Sequence, residues 1–297
     1  GDYQYLCSIG GGSTNKIYGA LQYYNTITGG YNNKMYGSQN AGYGMQIITS
    51  TIGGGISNSI YTTNTNAVQI TACGIAAGSS NVIRDGVAFG FIGGGSSNVI
   101  AGGAFNSNYG VIAGGRSNEI SSYGANNAIL GGYDNTIDST GAYNAILGGH
   151  DNEIGSSRTK AFIVGSNITA DASNTTFVEA LKSKGDITAF WSSDIRLKDN
   201  IRPIEGALFK VKQIRGIEFE WNDKLGDRAH QPAGTTDIGV VAQDVQKVLP
   251  NIVKEREDGW LGVRYERMVP LLVESIKEMG SLIGDLESRI KQLESKE

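Results

Sequence analysis

The sequence predicts a mainly β chain: a repetitive β-solenoid or β-roll-like fibre, then a small α+β body and a C-terminal coiled coil. Three observations carry this. A nine-residue motif built on Ile, Gly and Asn recurs through the first half of the chain. Composition breaks near residue 191: 34 of the 43 glycines lie before it, while Pro203, Pro232, Pro250 and Pro270 all lie after it. Apolar residues three and four apart then run to the C-terminus. The predicted boundaries are 1–168 for the repeat, 169–192 for a short β base, 193–268 for the α+β body and 269–297 for the helix.

The motif reads Ile, any residue, Gly or Ala, Gly, two residues, Asn, one residue, Ile or Met. It runs from Ile9 to Ile17 and returns at Ile27, Ile52, Ile75, Ile92, Ile112, Ile129 and Ile146, with a weaker copy at Ile163. Starts are 18, 25, 23, 17, 20, 17, 17 and 17 residues apart. The floor of 17 predicts one solenoid coil, and longer gaps predict inserted loops. The two apolar ends flank a turn and suit inward-facing positions on short strands. The Gly pair allows positive φ and close stacking. The Asn suits a turn and tolerates the left-handed conformation. One per coil, Asn15, Asn33, Asn58, Asn81, Asn98, Asn118, Asn135 and Asn152 predict a ladder. A second half-motif precedes it, as in Gly124–Ala128 and Gly141–Ala145. Each coil offers few large side chains, so one copy encloses a thin core and the pattern calls for neighbouring copies about an axis. The pattern resembles the head domains of trimeric bacterial adhesins and the shafts of viral tail fibres.

Composition narrows the chemistry. Net charge is −4 and there is no basic block, so nucleic-acid binding lacks electrostatic support. No run of 18 apolar residues calls for a membrane span, and no leader pattern is visible. Cys7 and Cys73 are too few and too far apart for a disulfide framework or a zinc knuckle, and read as free thiols. No metal or cofactor is expected. Asp134 with Asp151, and Glu119 with Glu153, recur at equivalent places, which a periodic chain yields without catalysis; paired carboxylates can also hydrolyse glycosides. Tyrosine crowds the first 43 residues. Tyr18, Tyr23, Tyr24, Tyr31 and Tyr36 are the candidate ligand contacts; the alternative is that such rings pack between subunits or cap the solenoid.

Thr176–Ala180 and Ile187–Trp191 predict short strands of the base. The chain then enters Ser193-Asp194-Ile195-Arg196-Leu197-Lys198-Asp199-Asn200-Ile201. Further on come Gly216–Trp221, Asp237–Pro250 and Val263–Leu272. In this order these segments resemble the self-cleaving intramolecular chaperone domain (the peptidase S74 family) of phage tail spikes and fibres, endosialidase-type spikes included. The resemblance implies a domain that helps the preceding fibre trimerise and then releases itself by cutting before the motif's Ser. Carried over, the scissile bond is Ser192–Ser193, Ser193 is the nucleophile and Lys198 its activator.

Elementary chemistry adds conditions. A Ser hydroxyl needs a base to take its proton. A Lys serves when burial or neighbouring positive charge favours its amine, and Arg196 is a candidate source of that charge. On extended chain Ser193 and Lys198 lie well over 10 Å apart, so a turn has to fold Lys198 back. Downstream, spacing predicts helices over 205–213 and 242–248, strands over 216–221 and 238–241, and a hairpin about 255–259. Val269, Leu272, Ile276, Met279, Ile283, Leu286, Ile290 and Leu293 predict a coiled coil that permits a trimer and does not exclude a dimer. Gly280 and Gly284 predict a close approach to the body or the fibre.

Together these expectations describe a phage tail-fibre or tailspike tip. It would bind a host cell-surface glycan or protein receptor, form a homotrimer, and shed its chaperone in the host cytoplasm during assembly, the remainder staying on the virion tail. The rival is a depolymerase of host surface polysaccharide carrying the same chaperone.

Overall fold

The computed structural model describes residues 4–19, 21–37, 46–63, 69–102, 107–121, 124–183, 193–224, 232–255 and 259–295. The chain divides into two compact units, Gly1–Ile187 and Thr188–Glu297.

The first unit is a parallel β-solenoid. Strands of two to four residues pair in parallel with those of the coils before and after, making sheets of six, ten and eight strands. Register follows the motif: Ile75 lies between Ile52 and Ile92, and Ile83 between Ile60 and Ile100. These inward residues form the core, with Met35 in the same column as Ile60. The extra residues of the long coils fall between the eight-stranded and six-stranded sheets, as from Tyr36 to Ile47. Thr175–Val178 pairs with Ala161–Val164 and is the last strand of the ten-stranded sheet. The expected strand at 187–191 lies outside the described residues.

The Asn ladder runs through the solenoid. The Asn58 N–H donates to Asn33 Oδ1 at 3.0 Å, and this step repeats through Asn81, Asn98, Asn118, Asn135 and Asn152. Each side-chain amide also donates to a carbonyl four residues back and to one in the next coil; for Asn118 these are Gly114 and Gly132. One expectation needs correcting. The left-handed residue is the one before the ladder Asn: Thr14, Asn32, Ser57, Ser80, Ser97, Ser117, Asp134 and Asp151. The ladder Asn turns inward instead, where its amide satisfies buried backbone. The motif's second Gly is required: Gly95 has φ of 85°, and a Cβ there would collide with the Gly115 carbonyl of the next coil. A second ladder joins Asn127 to Asn144 and Asn144 to Ala161. In that line Cys73 is buried, and its Sγ accepts from the Gly90 N–H.

The second unit is a small α+β body with a long helix. Helix α1 spans Ala207–Val211, α2 spans Ala242–Val248 and α3 spans Val269–Glu294. Gly216–Glu220 pairs antiparallel with Thr236–Val240, and Val253–Glu255 with Leu261–Val263. α3 docks on α1: Glu278 accepts both the Ala207 and Leu208 N–H groups at 2.8 Å. Those bonds satisfy orphan donors of α1 and hold the Glu278 carboxyl below its usual range. Asp244 of α2 takes Arg215 Nε at 2.6 Å. Among the described residues of this unit, the buried apolar side chains are Ala207, Val245, Ile252 and Leu271. Phe209 stays 71% exposed and Ile238 79%. Gly280 and Gly284 meet nothing of their own chain where a Cβ would stand, so the expected approach to the body is absent among the described residues.

Candidate processing site

A single helical turn gathers the residues of the Ser-Asp motif. Ile195–Leu197 forms a 3-10 turn with Asp194 as its N-cap, the Asp194 carboxylate accepting the Arg196 N–H at 2.8 Å. This is ordinary capping, which offsets donors with no partner inside the turn. The turn reverses the chain. Lys198 Nζ comes to 2.8 Å from Ser193 Oγ and 2.9 Å from the Ser193 carbonyl oxygen. All of these groups are at the surface. Ser192, on the other side of the expected scissile bond, lies outside the described residues.

Arg196 does not serve as the expected source of positive charge beside Lys198. Its guanidinium is forked onto the Asp194 carboxylate, with Nη2 at 2.7 Å and Nε at 3.1 and 3.2 Å. That side-chain bond, helped by the Arg196 N–H, holds the Asp194 carboxyl below its usual range and pushes the guanidinium further up. The pair acts as a staple on the turn. Sequence reasoning offered Arg196 as a charge near Lys198; the structure gives its guanidinium to the Asp194 carboxylate instead.

The candidate ligand tyrosines do not share one patch. Tyr18 and Tyr36 stack face to face at 5.1 Å, and Tyr36 stacks on Tyr61 at 4.8 Å, along the eight-stranded sheet. Burial, then the neighbouring Tyr61 and Tyr18 and Asp85, push the Tyr36 phenol up to about 12. Tyr23 stacks on Tyr5 along the six-stranded sheet. Tyr24 and Tyr31, each 54% exposed, stand at two different corners of the coil. Tyr61, absent from the sequence-based candidates, belongs to the longest of these stacks. Its register with Tyr36 was the available signal.

Of the recurring carboxylates, Asp151 pairs with His150 at 2.9 Å on the surface. Asp138 and Glu153, with Ser139, Thr140, Ser156 and Ser157, line a polar cavity of about 360 Å³.

Residues 193–254 match the family described as chaperone of endosialidase, Peptidase S74. The C-terminal unit carries a chaperone domain of this family. The match opens on Ser193, the first residue of the turn just described. The chain is also 39% identical over 102 residues to the long tail fiber protein Gp37 of Enterobacteria phage K3, covering 33% of this chain and 8% of that protein. The same identity and length hold for Gp37 of Enterobacteria phage T2, with 7% of that protein covered. The match thus spans less than a tenth of either relative. Over about a third of its length the chain is thus similar to phage long tail fiber proteins, and residues 193–254 carry the S74-type chaperone match.

Proposed function

We propose that the chaperone domain drives homotrimerisation of the fibre and then releases itself by cutting Ser192–Ser193. The observation that carries this is the 2.8 Å approach of Lys198 Nζ to Ser193 Oγ at the first residue of the family match. In its amine form Lys198 takes the Oγ proton as Oγ adds to the Ser192 carbonyl carbon. Collapse of the tetrahedral intermediate breaks the C–N bond, and the Ser193 nitrogen leaves as an amine carrying that proton. Water then resolves the Ser192–Ser193 ester to a carboxylate and a free hydroxyl, and atoms balance.

The mature fibre, on the virion tail, binds a host cell-surface glycan or protein receptor. The Tyr18–Tyr36–Tyr61 stack, beside the corner that carries every long insertion, supports that assignment. A depolymerase is the second reading, and the cavity holding Asp138 and Glu153 is where its acids would sit. Asp138→Asn with Glu153→Gln separates the two: release of reducing ends from host polysaccharide that stops in the double variant would favour the depolymerase.

Intact mass under denaturing conditions tests the processing. Fragments 1–192 and 193–297 are expected for the chain as given, and a single 31.5 kDa species for Ser193→Ala and for Lys198→Ala. Cutting that persists in Lys198→Ala would remove the Lys from the mechanism.

A further inference from the structure

We infer that the ten-stranded face of the solenoid is where copies of this chain meet about their common axis. The inference rests on the homotrimeric reading above and adds where the copies touch.

The face is set by register. Along it, the Ile of each strand from Thr26–Ile27 to Ala161–Val164 turns inward and the residues on either side of it turn outward, and the outward positions stack in columns. In the downstream coils those columns carry Phe91, Leu130, Leu147, Phe162, Val164 and Val178, each between 38% and 53% exposed. Leu147 follows Ile146 as Val164 follows Ile163, and Ile146 pairs with Ile163. Upstream, the matching positions are small: Gly53, Ala76, Gly93 and Ala113. A continuous exposed apolar strip of this kind on a β-surface marks a contact.

Charge singles out the occupant. In a cyclic oligomer of parallel copies, a residue facing the axis meets its own copies at the same height. A charge there would meet like charges in a desolvated seam, which is strongly unfavourable. The outward positions of the ten-stranded sheet hold no charged residue. The eight-stranded sheet presents Lys16, Lys34, Arg84, Glu119, Asp138 and Glu153. The six-stranded sheet is also uncharged but stops at Ser107–Asn108, short of the last coils. The ten-stranded sheet alone combines an uncharged face with the whole described length of the solenoid. A glycan fits the downstream stretch poorly, because from Gly53 to Val178 the column that carries Leu130, Leu147 and Val164 offers no side-chain hydroxyl or amide. A seam of Leu, Val and Phe needs only its own copies to close.

The test uses the full chain with Cys7→Ser, leaving Cys73 buried. Leu147→Cys and Val164→Cys are made separately, with Glu119→Cys on the charged face as the comparison. Sedimentation gives the assembly, and a short bis-maleimide followed by denaturing electrophoresis gives proximity. A trimer in which Leu147→Cys or Val164→Cys moves the solenoid-bearing species to twice its own mass, and Glu119→Cys does not, is the expected result. A trimer with linkage only at Glu119→Cys, or at none of the three, overturns the inference and leaves the trimer standing. A monomer throughout overturns both. Leu147→Glu is expected to lower the trimer fraction, while Glu119→Gln leaves it unchanged.

Discussion

At the scale of the residue, the proposed processing site rests on a two-part device. The proposal gives the chemistry to Ser193 and Lys198, which lie 2.8 Å apart, while Asp194 with Arg196 staples the turn between them. The two chemical residues were readable from the Ser-Asp motif. The staple was not, because it exists only once the backbone has turned. It has a pH signature. The Asp194 carboxyl is depressed in the folded chain, chiefly by its Arg196 bond. The staple therefore contributes fully above the ordinary Asp range of about 3.9, and is lost only as pH falls through the lower folded value. Carboxyl NMR titration should place Asp194 below that range, and Arg196→Ala should move it back towards it, the Arg196 N–H bond remaining. The same substitution should slow single-turnover cutting without abolishing it, since Ser193 and Lys198 both remain.

At the scale of the element, the Asn ladder and α3 make opposite demands. The ladder is complete within one chain. Asn118 is fully buried; its Oδ1 accepts from the Asn135 N–H and side-chain amide, and its Nδ2 donates to Asn98 Oδ1 and to the Gly114 and Gly132 carbonyls. Asn118→Ala leaves the buried Asn135 N–H without its acceptor and should cost about 2 kcal/mol. Because a solenoid is coupled mainly between neighbours, hydrogen exchange should rise in the adjoining coils first. α3 is incomplete within one chain. Leu271 and Ser275 are buried against its own body, while Ile276, Ile283, Leu286, Ile290 and Leu293 are all more than half exposed. β-Branched residues at 269, 276, 283 and 290 with Leu or Met at 272, 279, 286 and 293 suit two strands in isolated coils. Exposed Val273 and Leu282 widen the stripe, which gives a third helix more to cover. Gly280→Ala meets no atom of the described residues. It should raise helix stability by about 1 kcal/mol if that face is free. A fall in melting temperature instead would locate a close neighbour from another copy at Gly280.

At the scale of the whole molecule, the two units differ in how far they stand alone. The solenoid buries a column of Ile from Ile27 to Ile163 and pairs its backbone coil by coil. The C-terminal unit buries little apolar surface among its described residues and leaves Phe209, Ile238 and the α3 stripe open. That imbalance is what a device acting on other copies of itself would have. A stacked repeat has no strong internal signal for which coils of separate chains should align, whereas a helix with heptads does. Ile283→Asp with Leu286→Asp alters two side chains at the surface of a single chain, so the unit's own secondary structure should survive by circular dichroism. Sedimentation should then give monomer, and the fibre should fail to assemble.

Sequence alone determined the repeat, its core columns, the Asn ladder and the C-terminal helix, and it singled out Ser193 and Lys198, whose side chains the structure brings within 2.8 Å. Each of these is periodic or motif-borne, so neighbouring residues state it without knowledge of the fold. Tertiary structure decided the rest. It moved the left-handed residue one place ahead of each ladder Asn, because the amide is more useful turned inward. It scattered the tyrosines over separate sheets and corners, because strand register and not proximity in sequence sets which rings stack. It paired Arg196 with Asp194 rather than leaving it beside Lys198, because a single turn of helix shortens the distance between them to that of a hydrogen bond.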